Sequence, residues 1–79
     1  MLLEIITPEK QLYNDEATLV QLPGTDGLFE VLNSHAPMIA ALAKGRIKVQ
    51  PAVGETMFFE INGGVLEVRD NKLLVLADK

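Results

Sequence analysis

The stretch VLEVRDNKLLVLA, residues 65–77, decides the fold class. Residues 65–69 and 72–77 contain many branched and other apolar side chains, and they flank the dipeptide Asp70-Asn71. Asp and Asn both tolerate a left-handed backbone, so this dipeptide predicts a tight two-residue turn between two strands. Residues 73–76 are apolar without a break, as in a strand that is covered on both faces. The segment therefore predicts a β-hairpin.

Short turn signals divide the rest of the chain at regular intervals. They are rich in Gly, Pro, Asn, Asp and Ser, the residues that turns prefer. Such spacing is typical of an all-β sandwich or barrel and leaves no room for a helix of ordinary length. The signals are Thr7-Pro8-Glu9, Asn14-Asp15, Pro23 to Gly27, Asn33-Ser34-His35, Lys44-Gly45, Pro51 to Gly54 and Asn62-Gly63-Gly64.

Three segments between these turns have a readable pattern. Residues 46–50 alternate between polar and apolar, which predicts a strand with one buried face. Residues 56–61 contain the aromatic and branched side chains that favour strands. Residues 38–43 have good helix propensity, but they are short and lie between Pro37 and Gly45. Because so short a helix is marginal, we predict a strand there as well.

Composition limits the class of protein. With 79 residues, 48% of them hydrophobic, the chain is expected to form one domain over residues 1–79 and not to be disordered. Its net charge of −4 argues against nucleic acid as a partner, because phosphate binding needs clustered cations. Glu4 stands where a signal peptide would carry Lys or Arg, and the longest near-apolar stretch, residues 36–43, is too short to cross a membrane. We expect contact with a membrane only through another protein.

Residues for catalysis are scarce. The chain has one His and no Cys. Ser34 and His35 are adjacent, and neighbours on an extended backbone point to opposite faces, so the two cannot readily share a proton. No second His and no Cys can join His35 around a metal ion. The acidic residues are scattered, as expected for solvated surface positions. We therefore expect no catalytic residue, no metal and no cofactor.

Two loops remain as candidate contact surfaces. Residues 23–27, PGTDG, lack the Gly-Lys-Ser/Thr of a phosphate-binding loop, so they are either a plain turn or a turn that also binds a partner. Residues 35–38, HAPM, either brace the fold or form a docking patch. A loop stiffened by Pro suits docking because it loses little entropy on binding. The residue types alone favour the structural role for HAPM.

Three stretches, taken together, carry a resemblance. Residues 23–37, PGTDGLFEVLNSHAP, contain a Pro-Gly turn, a Gly-x-Phe-x-Val-Leu run and a His-Ala-Pro stretch. The other two stretches are residues 63–78 and the opening residues 3–10. All three have the order and spacing of a known family. In these features the chain resembles the N-terminal β-sandwich domain of the epsilon subunit of F-type ATP synthases. Glu30 stands where that family usually has Gly, and Asn33 where it often has Pro.

The resemblance implies a fold, a function and contact residues. The implied fold is a small antiparallel β-sandwich of two roughly five-stranded sheets. The implied function is that of a non-catalytic subunit of the central stalk, or rotor. This subunit links the gamma subunit to the c-ring and couples proton-driven rotation to ATP synthesis at the cytoplasmic face of the bacterial inner membrane. Carried over by position, the c-ring contacts are Thr25, Asp26, Gly27 and Leu28, and the gamma contacts are His35, Ala36, Pro37 and Met38, with Thr7 as a weaker candidate.

Most members of that family continue into two C-terminal helices that inhibit ATP hydrolysis. This chain ends at Lys79, so we expect it to lack that inhibition. Other hypotheses stay open on the residues alone. One is a small β interaction module of another kind, such as a lipoyl or biotinyl carrier in which Lys72 would be modified, although no Met-Lys-Met or Asp-Lys-Ala pattern surrounds it. Another is a small enzyme built on the single His.

Overall fold

A computed structural model describes residues 1–78, which form six β-strands and no helix. None of these residues belongs to a helix long and apolar enough to span a membrane. The strands are β1 (Leu2–Ile6), β2 (Gln11–Gly24), β3 (Gly27–Leu32), β4 (Met38–Pro51), β5 (Met57–Arg69) and β6 (Lys72–Ala77). The all-β prediction is confirmed, and residues 38–43 are part of a strand.

The strands form one continuous sheet that closes on itself. Its order is β1-β6-β5-β4-β2-β3, and β1 also pairs with β2. The strands pair antiparallel except β1 and β6, which are parallel. Closure gives β1 a neighbour on both sides, whereas β3 pairs only with β2 and keeps one side as an exposed edge.

The long strands β2, β4 and β5 each take part in two layers. The first layer contains β1, β6, the beginnings of β2 and β4 and the end of β5. The second layer contains β3 and the remaining parts of the three long strands. Counted as segments, this is the predicted sandwich of two roughly five-stranded sheets. The two sheets share strands because the long strands bend from one layer into the other.

Three of the predicted turns lie inside strands instead. Asn14-Asp15 lies in β2, Lys44-Gly45 in β4 and Asn62-Gly63-Gly64 in β5. Gly64 pairs with Ala77 at a φ of 149°, in the region that favours glycine. A Cβ on Gly64 would run into the backbone O of Leu76 and lie 3.0 Å from the Cα of Ala77. Glycine at position 64 therefore allows β5 and β6 to approach closely, and it does not mark a reversal of the chain.

The core lies between the two layers and follows the alternation of the strands. Ile47 and Val49 are fully buried while Arg46 and Gln50 are exposed, as the pattern of residues 46–50 predicts. The hairpin of residues 65–77 is also as predicted, with Asp70 and Asn71 at φ values of 52° and 59°. The largest fully buried side chains are Leu3, Ile5, Leu22, Ile47, Leu66, Val20, Val31, Val49, Val68 and Val75.

Candidate functional site

The first candidate surface is the tip segment, Thr25–Leu28, where β2 turns into β3. Gly24 and Gly27 pair across a two-residue turn, and all four residues of the tip segment are exposed. Leu28 is 67% exposed, so the tip presents a large apolar side chain to solvent. The backbone N–H of Thr25 donates to the carbonyl of Ala41 at 3.2 Å and so holds the tip against β4.

The second candidate surface is the linker segment, His35–Met38, which leads from the end of β3 into β4. His35, Ala36 and Pro37 are exposed, and Met38 is half-buried against the core. The residues just before it are anchored: the Met1 ammonium donates to Asn33 Oδ1, and the Ser34 N–H donates to Asn71 Oδ1 at 2.8 Å. The linker segment is therefore an exposed loop whose entry is held in place by the N-terminus and the β5–β6 turn.

The tip segment and Met38, the last residue of the linker segment, line the same groove. This groove has a volume of about 420 Å³, and its walls are residues 24–29 and 38–41. Gly24 pairs with Leu42, four residues along β4 from Met38, so the two segments lie roughly 13 Å apart along the strand. Asp26 is the one ionisable group among these lining residues. The sequence treats the segments as separate loops, and the fold places them toward the two ends of one groove.

Thr7 lies elsewhere. Its side chain is only 4% exposed, its hydroxyl donates to the Lys10 carbonyl at 3.1 Å, and its Oγ1 accepts from the Lys10 N–H at 3.2 Å. Thr7 follows β1, which is three strands across the sheet from β4, and it lies four residues along β1 from the row of Met38. This separation is roughly 20 Å. Thr7 therefore braces its own turn, and its side chain offers little surface to a partner.

An apolar outer face on the first layer was not predicted from the sequence. Ile39, Val65 and Leu76 point outward there and are 74%, 43% and 51% exposed. The expectation that residues 73–76 are covered on both faces is wrong, because among residues 1–78 nothing packs over the outward side of Leu76. The unbroken apolar run in β6 is the signal for this surface. A strand covered on one face usually alternates between apolar and polar residues. The unbroken run therefore indicates apolar side chains on the outer face of β6.

Chemistry at the single His has little support from its surroundings. His35 Nδ1 lies 2.7 Å from the carbonyl O of its neighbour Ala36, and the Ser34 N–H is held by Asn71. Among residues 1–78 no group of three or more His, Cys, Asp or Glu side chains could hold a metal ion. Lys72 is the first residue of β6 and pairs with Arg69, so it lies beside the two-residue hairpin turn and not in it, where a carrier lysine would stand.

The pKa of Tyr13 is raised above its ordinary value of 10.0, mainly by burial and then by the charges of Asp15 and Glu16. Its hydroxyl donates to the Glu16 carbonyl at 3.2 Å, and its ring packs edge-on against Phe59 at 5.9 Å between centroids. This arrangement is structural, since the phenol lies on the pairing between β1 and β2 and away from the groove.

Comparison with known proteins agrees with a small β-sandwich. A family model described as "ATP synthase, Delta/Epsilon chain, beta-sandwich domain" matches residues 1–79. The ATP synthase epsilon chain of Chlorobium limicola is 40% identical over 76 residues, which is 96% of this chain and 86% of that relative. The epsilon chain of Pelotomaculum thermopropionicum is 41% identical over 76 residues, 96% of this chain but only 56% of the relative. The chain thus spans most of one relative and just over half of the other.

Solved structures share the fold. A chain in the central stalk and c-ring structure of the Tetrahymena thermophila mitochondrial ATP synthase superposes with a TM-score of 0.88 at 19% identity, covering 100% of this chain and 63% of that one. A chain of the Euglena gracilis mitochondrial enzyme gives 0.92 at 18% identity, covering 100% and 51%.

The fold and its exposed segments define a small β-sandwich domain. The chain belongs to the ATP synthase delta/epsilon chain β-sandwich family.

Proposed function

We propose that this chain, as a single domain over residues 1–79, is the epsilon-type subunit of the central stalk of an F-type ATP synthase. In this role it links the gamma subunit to the c-ring, so that proton-driven rotation reaches catalytic sites in other subunits. The relatives are bacterial, and the proposed location is peripheral, at the cytoplasmic face of the inner membrane, with the membrane reached only through the complex.

The observation that carries the proposal is the arrangement of the two contact segments. The tip segment is carried over as the c-ring contact and the linker segment as the gamma contact. The tip segment and Met38 of the linker segment line opposite ends of one groove. A domain placed between two partners needs two separate surfaces on one stiff body. Sheet closure and the fully buried core supply that stiffness, because close-packed interiors deform little.

Thr7 stays in the proposal only as part of the scaffold. Its hydroxyl is occupied by Lys10, so its replacement is expected to act through the shape of the turn at residues 7–10. We assign the direct gamma contact to His35, Ala36, Pro37 and Met38.

Binding to gamma tests the linker segment. The double variant His35→Asp and Met38→Asp is expected to weaken gamma binding by about 100-fold, since an unpaired carboxylate buried at an interface costs about 2–3 kcal/mol. Val53→Asp is the control, because Val53 is 91% exposed and lies in the β4–β5 turn, beyond the other end of β4. Affinity is measured by interferometry with immobilised gamma. Equal binding of the double variant and the control removes the assignment of this segment.

Assembly with the c-ring tests the tip segment. Leu28→Asp is expected to reduce recovery of the gamma complex on purified c-ring, because it places a charge on the exposed apolar residue at the tip. Leu32→Asp introduces the same change at the other end of β3, where the side chain is 54% exposed, and is expected to leave recovery unchanged. Loss of recovery with both variants, or with neither, contradicts the role of residues 25–28.

A further inference from the structure

The beginning of β4 is an open sheet edge. Residues 38–41 pair with β5 on one side, and on the other side the described residues supply one bond, from the Thr25 N–H to the Ala41 carbonyl. In an antiparallel pair, the backbone groups of alternate residues point toward the partner strand and away from it. Since the Ala41 carbonyl points away from β5, the N–H and carbonyl of Ile39, two residues earlier, point away as well.

The free backbone groups of Ile39 face the groove between the tip segment and the linker segment. The Ile39 side chain, 74% exposed, stands on the outer face of the first layer beside Glu67. A second hollow of about 450 Å³ adjoins this end of the edge, with walls that include Pro37, Ile39 and Glu67. The edge therefore offers backbone hydrogen bonds with open space on either side.

We propose that this edge, residues 38–41, binds an extended segment of the partner polypeptide by strand addition. The proposal rests on the proposed function, in which that partner is the gamma subunit. The strand would lie beside β4 and exchange backbone hydrogen bonds with Ile39, which is one of the recurring ways in which proteins bind peptides. The chemistry of the groove asks for apolar side chains along the segment and a Lys or Arg near the tip segment, because Asp26 is the one ionisable lining group there.

A second copy of this chain fits the edge less well. The edge is only about four residues long, and Pro37 at its start has no N–H to donate. Two such edges would bury far less than the roughly 1,600 Å² of a typical stable interface. Each copy also carries a net charge of −4, which opposes self-association. A partner that also contacts the exposed residues of the linker segment has the additional area that a second copy lacks.

Removal of one backbone donor tests the inference. Ile39→Pro deletes the N–H that faces the groove, and this N–H makes no bond to β5, so the β4–β5 pairing is kept. Ile39→Ala is the matched control, because it removes the same side chain and keeps the N–H. Ile39→Pro is expected to bind gamma about tenfold more weakly than Ile39→Ala, the worth of about one interface hydrogen bond. Unchanged circular dichroism shows that each variant folds.

Amide hydrogen exchange on the unaltered chain gives a second readout that needs no variant. The Ile39 amide is expected to exchange freely in the isolated chain and to become protected when gamma is added. Equal affinity of the two variants, or no protection of Ile39 in the complex, overturns the inference while the proposed function stands. Failure of the unaltered chain to bind gamma overturns both. Protection of Ile39 that rises with concentration of the chain alone, together with dimers in size exclusion, identifies a second copy as the occupant and also overturns the inference.

Discussion

Gly64 offers a sharp test of how the fold is held together. It lies where β5 passes from one layer to the other and pairs with Ala77 of β6. Gly64→Ala has two physical consequences. The backbone φ of 149° disfavours any side chain, and the added Cβ would collide with the Leu76 carbonyl and press on the Ala77 Cα. These contacts are backbone atoms of a paired strand, which cannot rotate away as a flexible side chain could.

Each consequence has a magnitude. A non-glycine residue in this region costs about 1–2 kcal/mol, and overpacking adds about 1–3 kcal/mol. The expected loss is therefore about 2–5 kcal/mol in the free energy of unfolding. A chain of 79 residues has about 4–12 kcal/mol in total, at 0.05–0.15 kcal/mol per residue. The variant should be near the limit of folding at room temperature.

Gly54→Ala is the matched control for the collision. Gly54 has a φ of 107°, but a Cβ there would meet nothing within 4 Å. It therefore experiences the backbone cost without the contact, and we expect a loss of only about 1–2 kcal/mol. Urea unfolding followed by circular dichroism, with midpoints compared at equal slope, measures both variants. If Gly64→Ala loses no more than Gly54→Ala, close pairing at the bend does not hold the two layers together.

Two further predictions concern the core and the one shifted pKa. Leu66→Ala should lower the free energy of unfolding by about 3 kcal/mol, because Leu66 is fully buried between Ala40 and Val75. Val65→Ala, one residue away on the outer face and 43% exposed, should cost under about 1 kcal/mol in the same urea assay. The raised pKa of Tyr13 favours its neutral form in the folded chain. The associated stability is present below pH 10.0 and is lost as pH rises through the folded pKa, so urea midpoints above pH 10.0 should fall in the unaltered chain and fall less in Tyr13→Phe.

The outer face around Leu76 and the open edge at Ile39 are neighbours on the same layer. Both are apolar surfaces that the described residues leave uncovered. Exposed apolar area of this kind marks an interaction site more often than chance in soluble proteins. In the proposed rotor role, the edge and the two segments beside it receive gamma and the c-ring.

What local chemistry dictates could be predicted from the sequence. The Asp70-Asn71 turn follows from two residues that tolerate positive φ, and the buried face of residues 46–50 follows from strict alternation. Residues 38–43 were ambiguous by propensity, and their short length between Pro37 and Gly45 correctly favoured a strand. The family resemblance then supplied the candidate contact segments. Local patterns alone left residues 23–27 open between a plain turn and a contact loop, and favoured a structural role for residues 35–38.

Local chemistry could not tell a turn from a bend within a long strand. Lys44-Gly45 and Asn62-Gly63-Gly64 have turn composition, yet both lie in paired strands, because glycine serves close packing between strands as readily as chain reversal. Three features depend on which distant strands pair. They are the shared groove of residues 25–28 and 38–41, the burial of Thr7 and the free edge at Ile39. Strand pairing joins residues far apart in the chain, so these features exist only once the sheet has closed.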